Sequence, residues 1–160
     1  LSQKKQLIII DLKYRKMRYY PLQKSPEKLC WHSDNKSLFM SSYDENSKVS
    51  TITRIVPGGL SKDILEGSSP QVLSKSQRLL FLDLKDQKWK TANLQGKDIK
   101  LFQDGLDKLQ FPSFNEKQDK ILMIREEDDY RPTPVIYDIN SGSWEKISER
   151  QGLWLSPVWH

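Results

Sequence analysis

One pattern recurs along this chain and constrains its fold more than any other feature. It runs through Leu29-Cys30-Trp31-His32-Ser33-Asp34-Asn35-Lys36-Ser37-Leu38-Phe39-Met40 and returns in Pro70-Gln71-Val72-Leu73-Ser74-Lys75-Ser76-Gln77-Arg78-Leu79-Leu80-Phe81. It comes again in Pro112-Ser113-Phe114-Asn115-Glu116-Lys117-Gln118-Asp119-Lys120-Ile121-Leu122-Met123 and opens once more in Ser156-Pro157-Val158-Trp159-His160. Each copy begins with proline or an apolar residue and places a large apolar residue two positions on. A polar turn and a three-residue apolar run follow. With Trp31, Val72, Phe114 and Trp159 taken as equivalent anchors, the spacings are 41, 42 and 45 residues.

A repeat of this length, built from several short strands, is the signature of propeller blades, in which each unit buries its apolar faces against its neighbours. The intervening segments agree. Strand-like stretches run over Val49 to Val56, Trp89 to Leu94 and Pro134 to Ile139, each followed by a turn: Pro57-Gly58-Gly59, Gln95-Gly96-Lys97 and Asn140-Ser141-Gly142. Glycine and asparagine adopt positive φ at hairpin corners at little steric cost. Gln6 to Asp11 and Lys16 to Pro21 read as the last two strands of a preceding blade. Helical periodicity is confined to Gly59 to Glu66, which the repeat assigns to a loop and an outer strand. The expected fold is therefore all-β: four-stranded antiparallel blades forming an incomplete ring. One partial propeller spans 1–160, with blades at about 23–67, 68–109 and 110–154 and partial blades at 1–22 and 155–160. The stop inside a motif at His160 reads as the cut end of a fragment.

Because side chains two apart in a strand share a face, Leu29 and Trp31 point together and Cys30 points away. The anchor aromatic is expected to pack between blades, and Cys30 to be a small filler or a half-exposed thiol. A lone cysteine excludes an internal disulfide and a cysteine-based metal cluster. Hydrophobic residues make up 36% of the 160 residues, a soluble, folded composition. No apolar run approaches the roughly 20 residues that span a bilayer. The first 28 residues, with eight basic residues against two acidic ones, carry +6, more than the whole net charge of +5, so the remainder is close to neutral. Such a bias protects an edge strand from unwanted pairing better than it argues for nucleic acid.

Catalytic signals are sparse. The sequence has no Gly-x-Ser-x-Gly elbow, no His-Glu-x-x-His pair and no glycine-rich phosphate loop. Ser141-Gly142-Ser143 falls in a hairpin turn. His32 and His160 both follow an anchor tryptophan, so the repeat explains their placement without metal or acid–base chemistry. No metal site and no cofactor are expected. The richest polar cluster is Arg125-Glu126-Glu127-Asp128-Asp129-Tyr130-Arg131, with Tyr43-Asp44-Glu45 as its counterpart in the first blade. Loops on a rigid scaffold commonly carry recognition, so Tyr43, Asp44, Glu45, Arg125, Glu126, Asp128, Asp129, Tyr130 and Arg131 are the candidate binding residues; a solvated hairpin tip explains the same composition equally well. Trp89, Trp144 and Trp154 are further possible contact residues, and Trp144, which follows a hairpin turn at the start of an outer strand, reads as a packing residue.

The pattern Pro-x-Trp-x-x-Asp-x-Lys-x-Leu-x-Phe, with a later strand ending Tyr137-Asp138-Ile139-Asn140-Ser141-Gly142, resembles the TolB-type (WD40-like) propeller repeat. The first copy retains the turn aspartate, Asp34, where the second has Lys75 and the third Lys117, and the second has Val72 at the aromatic anchor. The resemblance implies blades around a central channel, with the Tyr43 and Arg125 loops on one rim. It further implies a non-catalytic protein-interaction or sensory module, such as the periplasmic or extracytoplasmic part of a bacterial membrane-anchored transcriptional regulator. A cytoplasmic setting is also compatible. The alternative it offers is the propeller cap of a prolyl-oligopeptidase-type serine peptidase. A protein partner is expected, with self-association through open propeller edges as a further route, and neither nucleic acid nor membrane insertion.

Overall fold

The structure, a computed structural model, describes residues 5–103, 109–126 and 132–147. The described elements are all strands and turns, and the chain divides into two compact units, Leu1–Phe102 and Gln103–His160.

The first unit opens with a two-stranded sheet, β1 (Gln6–Asp11) and β2 (Lys16–Pro21). It continues with two four-stranded antiparallel sheets in sequence order. One comprises β3 (Ser25–Trp31), β4 (Leu38–Asp44), β5 (Val49–Ile55) and β6 (Ser61–Glu66). The other comprises β7 (Ser68–Leu73), β8 (Arg78–Asp83), β9 (Lys88–Asn93) and β10 (Lys100–Leu101). The second unit holds a four-stranded sheet of the same order: β11 (Leu109–Phe114), β12 (Lys120–Glu126), β13 (Pro132–Asp138) and β14 (Trp144–Lys146). The segment with helical periodicity is strand β6.

The repeat reaches down to backbone detail. The first strand of each four-stranded sheet carries a register shift near its start, between Pro26 and Lys28, Ser68 and Gln71, and Gln110 and Ser113. An extra residue there bends the strand and increases its twist. The turn after that strand takes one residue into positive φ: Asn35 at 55°, Gln77 at 52° and Gln118 at 53°. The turn between the third and fourth strands uses glycine for the same purpose, with φ of 85° at Gly58, 78° at Gly96 and 69° at Gly142. Short polar side chains complete the corners: Asp34 Oδ1 accepts from Lys36 N at 2.8 Å, Asp44 Oδ1 from Asn46 N at 2.9 Å, and Asp138 Oδ1 from Asn140 N at 3.0 Å. Such side-chain-to-backbone bonds mimic a backbone turn.

Burial follows the repeat. The three-residue apolar runs lie in the second strand of each sheet and are almost fully buried: Leu38, Phe39 and Met40, then Leu79, Leu80 and Phe81, with Ile121 and Met123 in the second unit. Alternation sends Leu38 and Met40, with Ile55, against Leu7, Ile9, Tyr20 and Leu22 of the β1–β2 sheet. Phe39 and Ile52 point the other way, onto Val72, Leu79, Phe81 and Ala92 of the β7–β10 sheet. Both faces of the β3–β6 sheet are thus covered.

The anchors differ from one another. Val72 is buried, Phe114 is half-buried, and Trp31 keeps 49% of its surface. Leu29 and Trp31 share a face, and it is their neighbour Cys30 that packs against the buried cluster linking the two sheets. Val72 N donates to Cys30 Sγ at 3.3 Å. Burial pushes the thiol's pKa up and outweighs that hydrogen bond, which favours the protonated sulfur.

His32 joins the same two sheets. Its side chain is buried in the β3–β4 turn, with Nδ1 2.7 Å from Asp34 Oδ1 and Nε2 3.2 Å from Gln77 Oε1 in the β7–β8 turn. Gln77 Nε2 in turn donates to Ser74 O at 2.6 Å, which fixes the amide with its oxygen toward the imidazole. The histidine thus bridges the two turns.

Candidate functional site

Strands β4 and β8 both run from buried apolar residues to a charged hairpin tip, so the β4–β5 and β8–β9 loops emerge at one end of the two neighbouring sheets. Tyr43 lies opposite Ser50, and Asp44 closes β4 opposite Val49. Glu45 is exposed at the tip. The Asp44 carboxylate is committed to its own turn. The backbone N–H of Asn46 holds its pKa below the ordinary carboxylate range, with smaller help from Ser47 and the Lys24 charge. Asp44 therefore shapes the loop, and Tyr43 and Glu45 are the side chains it presents.

The neighbouring β8–β9 loop supplies a charged cluster that sequence reasoning passed over. Lys90 Nζ lies 2.8 Å from Asp83 Oδ2 and 2.6 Å from Asp86 Oδ2, and Lys85 Nζ lies 2.7 Å from Glu66 Oε2. Asp83 also accepts from Lys85 N at 2.9 Å. Against the cost of burial, these bonds depress the pKa of Asp83 and raise that of Lys90. Between the two loops lies a cleft of about 160 Å³ lined by Lys48, Val49, Ser50, Glu66, Gly67, Asp83, Leu84 and Lys85. A signal was available: Asp83-Leu84-Lys85-Asp86 occupies the repeat position of Asp44-Glu45-Asn46-Ser47.

In the second unit, Arg125 ends β12 opposite Thr133. Its guanidinium lies 5.7 Å from the Trp144 ring centre, within cation–π range, and that ring leans on Tyr137 at 4.4 Å. Glu126 is the last residue of β12. Asp128, Asp129, Tyr130 and Arg131 lie outside the described residues, as do Trp154, Trp159 and His160. Among the described residues, no three metal-ligating side chains converge.

The aspartates that close hairpins make a common acid prediction. Asp34, Asp44 and Asp138 are each held below the ordinary carboxylate pKa, foremost by the backbone N–H groups of Lys36, Asn46 and Ser141 respectively. A depressed folded-state pKa contributes stability that is present above the unfolded value, about 3.9, and is lost as pH falls through the folded value. Thermal melts should hold their midpoint from pH 7 to 5 and drop below pH 4. Asp44→Asn, which keeps the turn acceptor, should flatten part of that drop; an unchanged acid profile in the variant would contradict the assignment.

No model of a known protein family matches this sequence, and no curated protein matches it. Solved structures do. TolB from Acinetobacter baumannii superposes with a TM-score of 0.74 at 11% identity, covering 97% of this chain and 40% of that one. The putative TolB from Agrobacterium tumefaciens gives 0.73 at 14% identity, covering 99% and 58%. The β-propeller domain of the Trilobed protease from Pyrococcus furiosus, described as having an open velcro topology, gives 0.59 at 20% identity, covering 91% and 48%. The sheets described above have the fold of β-propeller blades, and the chain spans about half the length of the chains it matches.

Proposed function

We propose that this chain is a non-catalytic protein-interaction module that recognises a protein through the rim formed by its β4–β5 and β8–β9 loops. The observation that carries the reading is the cleft between those loops, where Lys48, Lys85, Glu66 and Asp83 stand on adjacent rigid blades. Lys48, Glu66 and Lys85 are exposed there while Asp83 is held by Lys90, and exposed charges on the loops of a folded scaffold suit electrostatic selection of a partner. A sensory role in a bacterial extracytoplasmic regulator is the setting we favour; among the described residues no helix is long and apolar enough to cross a membrane.

The propeller cap of a serine peptidase is the second reading, favoured by the likeness to the protease propeller. Such a cap would position or screen substrates for a separate catalytic domain.

A photo-crosslinking residue at Glu45, in the organism of origin, should trap a discrete protein adduct, and the charge reversals Lys48→Glu and Lys85→Glu should reduce it at least about tenfold. The same reporter at Asn35, at the other end of the blade, should not trap it. A catalytic domain as the adduct selects the second reading. Hydrolase activity of the purified chain that a single substitution at Ser141 or His32 abolishes would overturn both.

A further inference from the structure

We infer that the cleft between the β2–β3 linker and the β3–β6 sheet binds a small neutral polyol, a hydroxylated ring such as a monosaccharide. The cleft measures about 380 Å³, within the roughly 300–1,000 Å³ that small-molecule sites occupy. It is separate from the rim loops and from the protein partner proposed for them.

Both walls are continuous chain. One is the Tyr20–Lys24 segment that leads from β2 into β3. The other is the sheet face, through Met40 and Ser42 of β4, Thr53 and Ile55 of β5, and Asp63 of β6. Among the described residues no part of β1 lines the cleft, so its form does not rest on what lies beyond that strand's other edge. Packing fixes the walls before any ligand arrives. Tyr20 and Leu22 lie on the buried cluster of Leu38, Met40 and Ile55, and the Tyr20 hydroxyl accepts from Gly58 N at 2.8 Å.

Polar groups converge beside that apolar floor. Lys24 Nζ lies 3.0 Å from Asp63 Oδ2 and 3.2 Å from Thr51 Oγ1, and Thr53 Oγ1 donates to Asp63 Oδ1. Against the cost of burial, the Thr53 hydroxyl and Lys24 hold the Asp63 carboxyl below the ordinary carboxylate range. The ammonium has three N–H donors and these contacts use two of them. Ser42 is only 2% exposed, yet its hydroxyl makes no hydrogen bond among the described residues. A buried hydroxyl left unpaired is costly, and one that lines a cleft points to a partner within it.

Charge and spacing select the ligand. The Lys24–Asp63 pair sums to zero, so an ion gains from one group what it loses to the other. A vicinal diol suits the pair. Its two oxygens lie within hydrogen-bond distance of each other, as Nζ and Oδ2 do, so one hydroxyl accepts from Lys24 while its neighbour donates to Asp63. A further ring hydroxyl meets Ser42, and the C–H face of the ring covers Tyr20 and Leu22. An apolar ligand of the same size would displace water from Lys24, Asp63 and Ser42 without replacing its hydrogen bonds.

Titration of the whole chain, labelled with 13C-methyl methionine, with glucose, galactose and mannose in turn tests this. Met40 reports from the floor of the cleft, and the exposed Met17 is the internal reference. A saturable shift of the Met40 methyl signal is expected with at least one of the sugars, while Met17 stays in place. Cyclohexanol, with a single hydroxyl, and glycine, with two opposite charges, should bind at least about tenfold more weakly. Asp63→Asn should weaken sugar binding by a similar factor. Ser42→Ala removes no hydrogen bond of the folded chain, so it should weaken binding and leave the unfolding midpoint in place. A Met40 signal that none of the three sugars moves, equal affinity for cyclohexanol, tighter binding of glycine, or sugar binding that survives both substitutions would each overturn the proposal. The Glu45 crosslink reads the loop tips, so either site can fail while the other stands.

Discussion

Replacing Phe39 with alanine is expected to destabilise the Leu1–Phe102 unit by about 3–5 kcal/mol, the usual cost of removing a buried aromatic ring. Phe39, the second residue of β4, is fully buried, and it bridges two blades by packing on Val72, Leu79, Phe81 and Ala92. Backbone pairing holds the walls of the resulting space on both sides: Phe39 lies opposite Cys30 and Arg54, and Phe81 lies opposite Lys90. Two sheets tied in this way collapse only partly around a void, so most of the cavity cost should persist. A domain of this size has roughly 5–15 kcal/mol in total, and the variant should approach the edge of folding. Urea unfolding followed by far-UV circular dichroism gives the number. Phe39→Leu, which refills much of the space, should cost less than half as much. Leu60, 90% exposed, is the control, and its alanine variant should shift stability by under about 0.5 kcal/mol. A Phe39→Ala loss below 1 kcal/mol would mean that the two blades do not depend on this contact.

Strands were legible in the sequence because their boundaries are marked locally. Gly58, Gly96 and Gly142 stand at the positive-φ corners where the repeat put turns, and β5, β9 and β13 lie where the intervals between anchors called for strands. The facing of side chains was less legible. In β3 both faces are apolar, with Leu29 and Trp31 on one and Cys30 on the other, so alternation by itself could not say which face meets the next blade. The structure turns Cys30 inward and leaves Trp31 half-open. The bulges between Pro26 and Lys28 and between Ser68 and Gln71 are each marked by a proline, Pro26 and Pro70, a signal present in the sequence but read, at Pro70, only as the start of a copy. Of the candidate site, the loop at Tyr43 to Glu45 was read from its polarity, but the role of Asp44 as a turn former was not. The Asp83–Lys90–Asp86 cluster was missed because its loop looks no more polar than any hairpin tip. Its cleft exists only where a second blade, through Glu66 and Gly67, comes alongside.

Gly96→Ala should be nearly as damaging as the loss of Phe39, for a reason confined to the backbone. Gly96 sits in the β9–β10 turn at a φ of 78°, where Gln95 and Lys97 both donate to Asn93 Oδ1, at 3.1 and 2.8 Å. A β-carbon there would meet the carbonyl oxygen of Ile64 on the preceding blade inside contact distance and would come within 2.8 Å of its carbonyl carbon. Ile64 is the extra residue of a bulge in β6, fixed on either side by Asp63 and Leu65, which pair with Thr53 and Ile52, and it packs against the cluster between the blades. The obstacle is therefore main chain, and it cannot swing aside. Alanine adds the cost of left-handed backbone, about 1 kcal/mol, to a displacement of one blade against the next; together these should exceed about 3 kcal/mol. Gly58 separates the two contributions. It has the same conformation at a φ of 85°, but there the atoms nearest a β-carbon belong to the guanidinium of Arg18, the far end of a flexible side chain. Gly58→Ala should therefore cost about 1 kcal/mol, from backbone strain alone. Chemical denaturation of the two variants side by side decides the matter. Equal losses at the two glycines would show that the turn conformation sets the cost. A large excess at Gly96 would show that the turn is a point of blade-to-blade contact, where the spacing of the propeller depends on a missing side chain.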